Sequence, residues 1–79
     1  MKESLIADTG FWIALFDGKD KNHFSAKAGL KFLFRNYQVC VSDFIIFETV
    51  TYLSCSVKRH DIAVRFLNKI RACNLTVLT

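Results

Sequence analysis

Apolar and polar residues follow two different periods along the chain, and the switches between them mark out strands and helices. Ser4-Leu5-Ile6-Ala7 is a short apolar run that stops at Asp8, which fits a buried strand. Thr9-Gly10 breaks the run. Phe11 to Phe16 is apolar throughout, long for a loop and compatible with a short buried helix. Asp17-Gly18-Lys19-Asp20 is a turn signal. From His23 to Arg35 the spacing is helical. His23, Ala26, Leu30, Leu33 and Phe34 share one side, while Lys27, Lys31 and Arg35 recur every fourth residue and form a row.

Gln38 to Ser42 reads as a second strand, with Val39 and Val41 alternating. Ser42 or Asp43 is suited to cap the helix that follows, because either side chain can accept from a free first-turn amide. That helix carries Ile46, Val50, Leu53 and Val57 on one stripe, and Phe44, Tyr52 and Cys55 opposite. A helix apolar on both sides is expected to be covered on both sides. Lys58-Arg59-His60 makes a break, and Asp61 is placed to cap a third helix. Its inner stripe is Ile62, Phe66, Ile70 and Cys73, joined by Ala63 and Leu67. Leu75 to Leu78 reads as a third strand.

The expected order is therefore β-α-β-α-α-β, an α/β fold. Strands separated by helices favour a parallel sheet with crossover helices on its faces. Ligands of such sheets sit outside the carboxyl ends of the strands. Asp8 stands at that end of the first strand and Ser42 at that end of the second. Glu48 lies about a turn and a half into the next helix. The topology thus brings Asp8 and Glu48 to one rim.

Both carboxylates have two readings. Asp8 either accepts amide bonds in the turn that follows it, or binds a ligand that offsets the cost of a charge at the end of an apolar strand. Glu48 either sits at the edge of an apolar helix face with its head in water, or turns toward Asp8. Two converging carboxylates are the minimum for holding Mg2+ or Mn2+, hard ions that take oxygen ligands and keep several waters.

The segment from Leu5 to Leu15, with Asp8 followed by Thr9 and an apolar run, resembles the opening strand motif of PIN-domain proteins. Val41-Ser42-Asp43-Phe44-Ile45-Ile46-Phe47-Glu48 is similar to the family's second acidic motif, and the element order agrees with that family as well. The resemblance implies a three-layer PIN-like fold and a divalent-metal-dependent ribonuclease, often the toxin of a VapC-type toxin–antitoxin pair. By the same resemblance Asp8 and Glu48 inherit catalytic and metal-binding roles, Thr9 supports the site, RNA is the substrate and water attacks its phosphodiester. An antitoxin protein is the implied partner. The family's third and fourth acidic positions lie beyond its third strand, where this chain stops. Residues 1–79 are thus expected to form one partial PIN-like domain, truncated after the third strand or completed by a partner. The alternative is a catalytically incomplete PIN remnant that serves only in protein interaction or dimerisation. Phosphoryl transfer with Asp8 as nucleophile is weaker, because the second aspartate expected two residues on is Gly10.

Composition narrows the rest. With 79 residues and 52% hydrophobic content the chain is one small globular domain. A core this size gains from association, so a homo-oligomer is expected, with Phe44, Phe47 and Tyr52 as contact candidates. Three widely spaced cysteines suggest neither a disulfide framework nor a zinc site. There is no signal-like segment and no apolar run near the ~20 residues of a membrane span, so no membrane role and a cytoplasmic location are expected. The net charge of +4 is compatible with nucleic acid. Lys27, Lys31 and Arg35 are the candidate RNA phosphate contacts, set against the plainer reading of a solvated helix face. Trp12, Phe11 and Phe16 are better explained as core than as base-stacking residues.

Overall fold

The computed structural model describes residues 2–72 and 76–78. Three strands, β1 (Glu3–Ile6), β2 (Tyr37–Ser42) and β3 (Thr76–Leu78), form a parallel sheet in the order β1-β2-β3. Four α-helices connect them: α1 (Thr9–Phe16), α2 (His23–Asn36), α3 (Asp43–Thr51) and α4 (His60–Ala72). A π-helical segment, Tyr52–Ser56, continues α3. The order is thus β-α-α-β-α-α-β, one helix more than the expected count. The apolar run after Asp8 supplies that extra helix, α1. Cys73 and Leu75, assigned to the third helix and third strand by pattern, lie outside the described residues.

Strand β2 is central. Val39, Cys40 and Val41 are all buried, at 2%, 4% and 0% exposure, so both of its faces are covered, as expected for a strand inside a parallel sheet. The simple alternation expected from Val39 and Val41 is replaced by continuous burial. Strand β1 pairs with β2 from Glu3↔Tyr37 to Ile6↔Cys40. Among the described residues it pairs on that side only, and three of its four residues are exposed.

The core gathers Trp12 from α1, Val39 and Val41 from β2, Leu53 from the π segment, and Ile62, Ala63, Phe66 and Ile70 from α4. The Phe66 ring lies 5.8 Å from Trp12 and 5.4 Å from Phe16, with tilted and edge-on geometry respectively, arrangements that aromatic quadrupoles favour. The indole Nε1 of Trp12 donates to the Ala7 carbonyl at 3.1 Å. The strand-to-helix corner next to Asp8 is therefore anchored to the core. The α4 stripe matches the sequence pattern through Ile70. On α2 the apolar side is only partly buried apart from Ala26, and Phe24 and Phe32 face solvent at 81% and 60% exposure.

The two sides of α3 part from expectation. Ile46, Val50 and Val57 pack against the core with buried Leu53. The opposite side is open, with Phe44 68%, Phe47 71% and Tyr52 44% exposed. No element among the described residues covers it.

The turn into α4 explains the basic cluster. Lys58 takes a left-handed φ of 59°, and the Arg59 amide donates to the Leu53 carbonyl at 2.9 Å, one residue wider than the 6→1 bond of a Schellman helix end, as follows from the wider π-helical turn before it. Arg59 then grips Asp61 with two bonds, Nε to Oδ1 at 2.9 Å and Nη2 to Oδ2 at 2.8 Å. Asp61 is thus paired inside the first turn rather than placed before it as a cap. The hydrogen bonds from Arg59 lower the Asp61 carboxyl to about 2, against an opposing effect of desolvation. A depressed carboxyl pKa stabilises the fold above the ordinary value near 3.8 and loses that effect as pH falls toward 2. Both groups are exposed, so the contribution to stability is small. The expected result is a depressed Asp61 titration followed by NMR, returning to the ordinary carboxylate range in Arg59→Ala.

Candidate functional site

Two helix caps build the rim. β1 and β2 run parallel with Ile6 opposite Cys40, so Asp8 and Ser42, each two residues further on, lie at the same end of the sheet. Asp8 is the N-cap of α1, and its Oδ1 accepts from the Phe11 amide at 3.0 Å. Ser42 is the N-cap of α3, and its Oγ accepts from the Ile45 amide at 3.1 Å. Each cap satisfies one of the amides that a helix start leaves unpaired. Of the two capping candidates at the second strand, Ser42 takes the role and Asp43 enters the first helical turn.

Glu48 meets Thr9, the residue after Asp8. The Thr9 hydroxyl donates to Glu48 Oε1 across 39 residues of sequence, which ties α3 to the first residue of α1. Within α3 the fully buried Thr49 satisfies its hydroxyl by donating back to the Ile45 carbonyl at 2.7 Å. Asp8, Thr9 and Glu48 thus form one group. Oδ2 of Asp8 and Oε2 of Glu48 accept no hydrogen bond among the described residues. The capping role proposed for Asp8 is present, yet it uses one oxygen and leaves the other free.

Open concavities flank this group on both sides. On the Glu48 side, a pocket of about 300 Å³ is walled by Phe44, Phe47 and Tyr52. On the Asp8 side, a pocket of about 480 Å³ runs between the start of α1 and the start of α2, where Asn22 and Ser25 line it. Among the described residues no group of three or more His, Cys, Asp or Glu side chains is arranged to share a metal ion. Asp17, Asp20 and Asp61 are engaged locally: Asp17 and Asp20 accept from the Lys19 and Asn22 amides, and Asp61 pairs with Arg59.

The basic row is placed differently. Lys27, Lys31 and Arg35 are exposed along α2. Lys27 and Lys31 line a groove of about 610 Å³ together with Arg59 and Arg65 of the α4 side. This groove shares no lining residue with the two pockets at the carboxylates. Sequence spacing could not join Arg59 and Arg65 to the α2 row, because the groove is formed only in the folded chain, where Leu15 and Phe16 of α1 line it together with residues of α2 and α4. His23, from the apolar side of α2, is also structural: its Nδ1 donates to the Ala14 carbonyl at 2.8 Å. Cys40 and Cys55 are free thiols. Among the described residues no helix is long and apolar enough to cross a membrane.

No family model matches the sequence, and no curated protein does. A solved structure does match. It is the VapC20 toxin of Mycobacterium tuberculosis, described as a Sarcin-Ricin loop cleaving toxin, with a TM-score of 0.73 and 26% sequence identity. The match covers 95% of this chain and 55% of that one, so the chain spans about half the length of the toxin. Through nearly all of its length, the chain is thus similar in structure to part of a VapC-type PIN-domain toxin.

Proposed function

We propose that this chain is the metal-binding part of a PIN-type endoribonuclease of the VapC class, which hydrolyses RNA phosphodiesters with a divalent ion. The Thr9–Glu48 hydrogen bond is the observation that supports it most, because it brings the Glu48 carboxylate of α3 to the residue next to Asp8, while one oxygen of each carboxylate accepts no hydrogen bond among the described residues. Mg2+ is commonly held in this way, by one or two carboxylates, with waters and substrate phosphate completing its shell. Asp8 and Glu48 would hold the ion. When bound, such an ion lowers the pKa of a coordinated water and stabilises charge on a phosphoryl oxygen. The Phe11 amide fixes the rotamer of Asp8, and the Thr9 hydroxyl fixes that of Glu48, so both carboxylates are oriented before a ligand arrives.

On this reading the fold is the three-layer PIN arrangement, and further strands and acidic ligands come from a continuation of the chain or from a partner. An antitoxin or a second copy fits the open Phe44, Phe47 and Tyr52 side of α3, since large exposed apolar patches mark interaction surfaces. The cytoplasm is the compartment this chemistry would occupy. Lys27, Lys31 and Arg35 stay secondary candidates for RNA phosphate contacts. A second reading, an inactive PIN remnant serving only as an interaction module, is favoured by the same open face and by the absence of a third clustered ligand among the described residues.

Metal removal separates the two. Cleavage of single-stranded RNA by the full chain is expected to stop in excess EDTA and to return when Mn2+ or Mg2+ is added beyond the chelator. Cleavage that persists in EDTA would sink the metal-dependent reading. A chain that neither binds Mn2+ nor cuts RNA would favour the interaction module.

A further inference from the structure

The pocket on the Asp8 side contains more chemistry than a two-carboxylate site needs. Asp8, Gly10 and Phe11 form one wall, and Asn22 and Ser25 form the other. Its volume of about 480 Å³ falls within the roughly 300–1,000 Å³ typical of small-ligand sites.

Three features show that the space is open and chemically equipped. The first is Gly10. No described glycine has a positive φ, so the backbone there does not require glycine, and glycine is a poorer helix former than alanine. A Cβ at this position would sit 3.6 Å from Asp8 Oδ1. Its absence leaves room directly against the carboxylate. The second is Asn22. It occupies the N-cap position of α2, where asparagine is among the best capping residues, yet its side chain makes no cap bond. The amide, with donors and an acceptor, is left for the pocket. The third is Ser25, one turn on, whose hydroxyl has no hydrogen-bond partner among the described residues.

The wall chemistry selects the ligand class. Among the described residues no cationic side chain lines the pocket, so beyond an ion held at Asp8 nothing in its walls is suited to grip a phosphate. A neutral planar group that both donates and accepts hydrogen bonds suits a carboxamide, a hydroxyl and the half-buried ring of Phe11. An unpaired nucleobase is such a group, and sequence-selective RNA recognition commonly reads splayed-out bases through their edges. We propose that this pocket receives the base of the nucleotide next to the scissile phosphate, and that Asn22 reads its edge and so sets a base preference at the cut. The inference rests on the nuclease reading given above.

The test compares the full chain with Asn22→Ala and Ser25→Ala. Randomised single-stranded RNA is cut in Mn2+ and the cleavage positions are sequenced, while Mn2+ affinity and thermal melting are measured separately. The expected result is a base preference beside the cut that falls about tenfold or more in Asn22→Ala, the scale of one lost bidentate base contact, and less in Ser25→Ala. Mn2+ affinity and melting stay unchanged. An unaltered preference in Asn22→Ala, or cleavage by the parent chain without any preference at that position, overturns the inference and leaves the nuclease reading standing. A parent chain that neither binds Mn2+ nor cleaves overturns both.

Discussion

Replacing Asp8 by asparagine is expected to leave the fold intact and to abolish metal-dependent RNA cleavage. The substitution separates the two roles of this residue. Asparagine caps a helix about as well as aspartate, so the bond from the Phe11 amide to Oδ1 survives. What is lost is the negative charge and a metal-binding oxygen. Lewis-acid assistance contributes several kcal/mol to phosphoryl chemistry, which corresponds to a fall in rate of about a hundredfold or more. Circular dichroism and the melting curve should match the parent, while Mn2+ binding and cleavage disappear. Equal cleavage with and without the carboxylate would remove Asp8 from the chemistry and reduce it to a cap.

Trp12→Ala is expected to have the largest effect on stability. The indole is 1% exposed, lies against Phe66, and donates to the Ala7 carbonyl. Emptying a buried tryptophan site costs about 3–5 kcal/mol. Domains are stable by roughly 5–15 kcal/mol in total, and a chain of this size sits near the lower end. The variant should therefore lose most or all of its cooperative melting transition. Trp12→Phe retains an aromatic core and loses the hydrogen bond to Ala7, so its melting temperature should fall less. If Trp12→Ala melts like the parent, the aromatic cluster does not hold the fold. The effect should also reach the site, because the Ala7 carbonyl lies next to Asp8 and the corner between them is fixed by that indole.

Much of the architecture is legible from spacing alone. The stripe of Ile62, Ala63, Phe66 and Ile70 gives the inner face of α4, and the run at Val39 to Val41 gives the central strand. The Phe11–Phe16 run is ambiguous because six consecutive apolar residues have no period; only the Asp8 cap and burial against α4 resolve it as a helix. The outer side of α3 was legible as apolar but not as open, since a pattern gives the character of a face and not what stands against it. The π-helical segment after Thr51 leaves no sequence signature, because i→i+5 bonding is decided by packing. At the site, the strand ends locate Asp8 and Ser42. The hydrogen bond from Thr9 to Glu48, by contrast, depends on how α3 sits against α1, and no local pattern encodes that. In the sequence Gly10 reads only as a turn residue and Asn22 only as a neighbour of a helix start; their place in a pocket beside Asp8 emerges from the packing of α1 against α2.

The exposed strand β1 carries a practical consequence. Its outer side presents main-chain donors and acceptors with no strand beside them among the described residues, and Ile6 is 54% exposed there. Such a border is a template for any extended segment that meets it. Self-association along that border is expected to rise as the solution becomes more crowded, which makes protein concentration a variable to control in every assay described above.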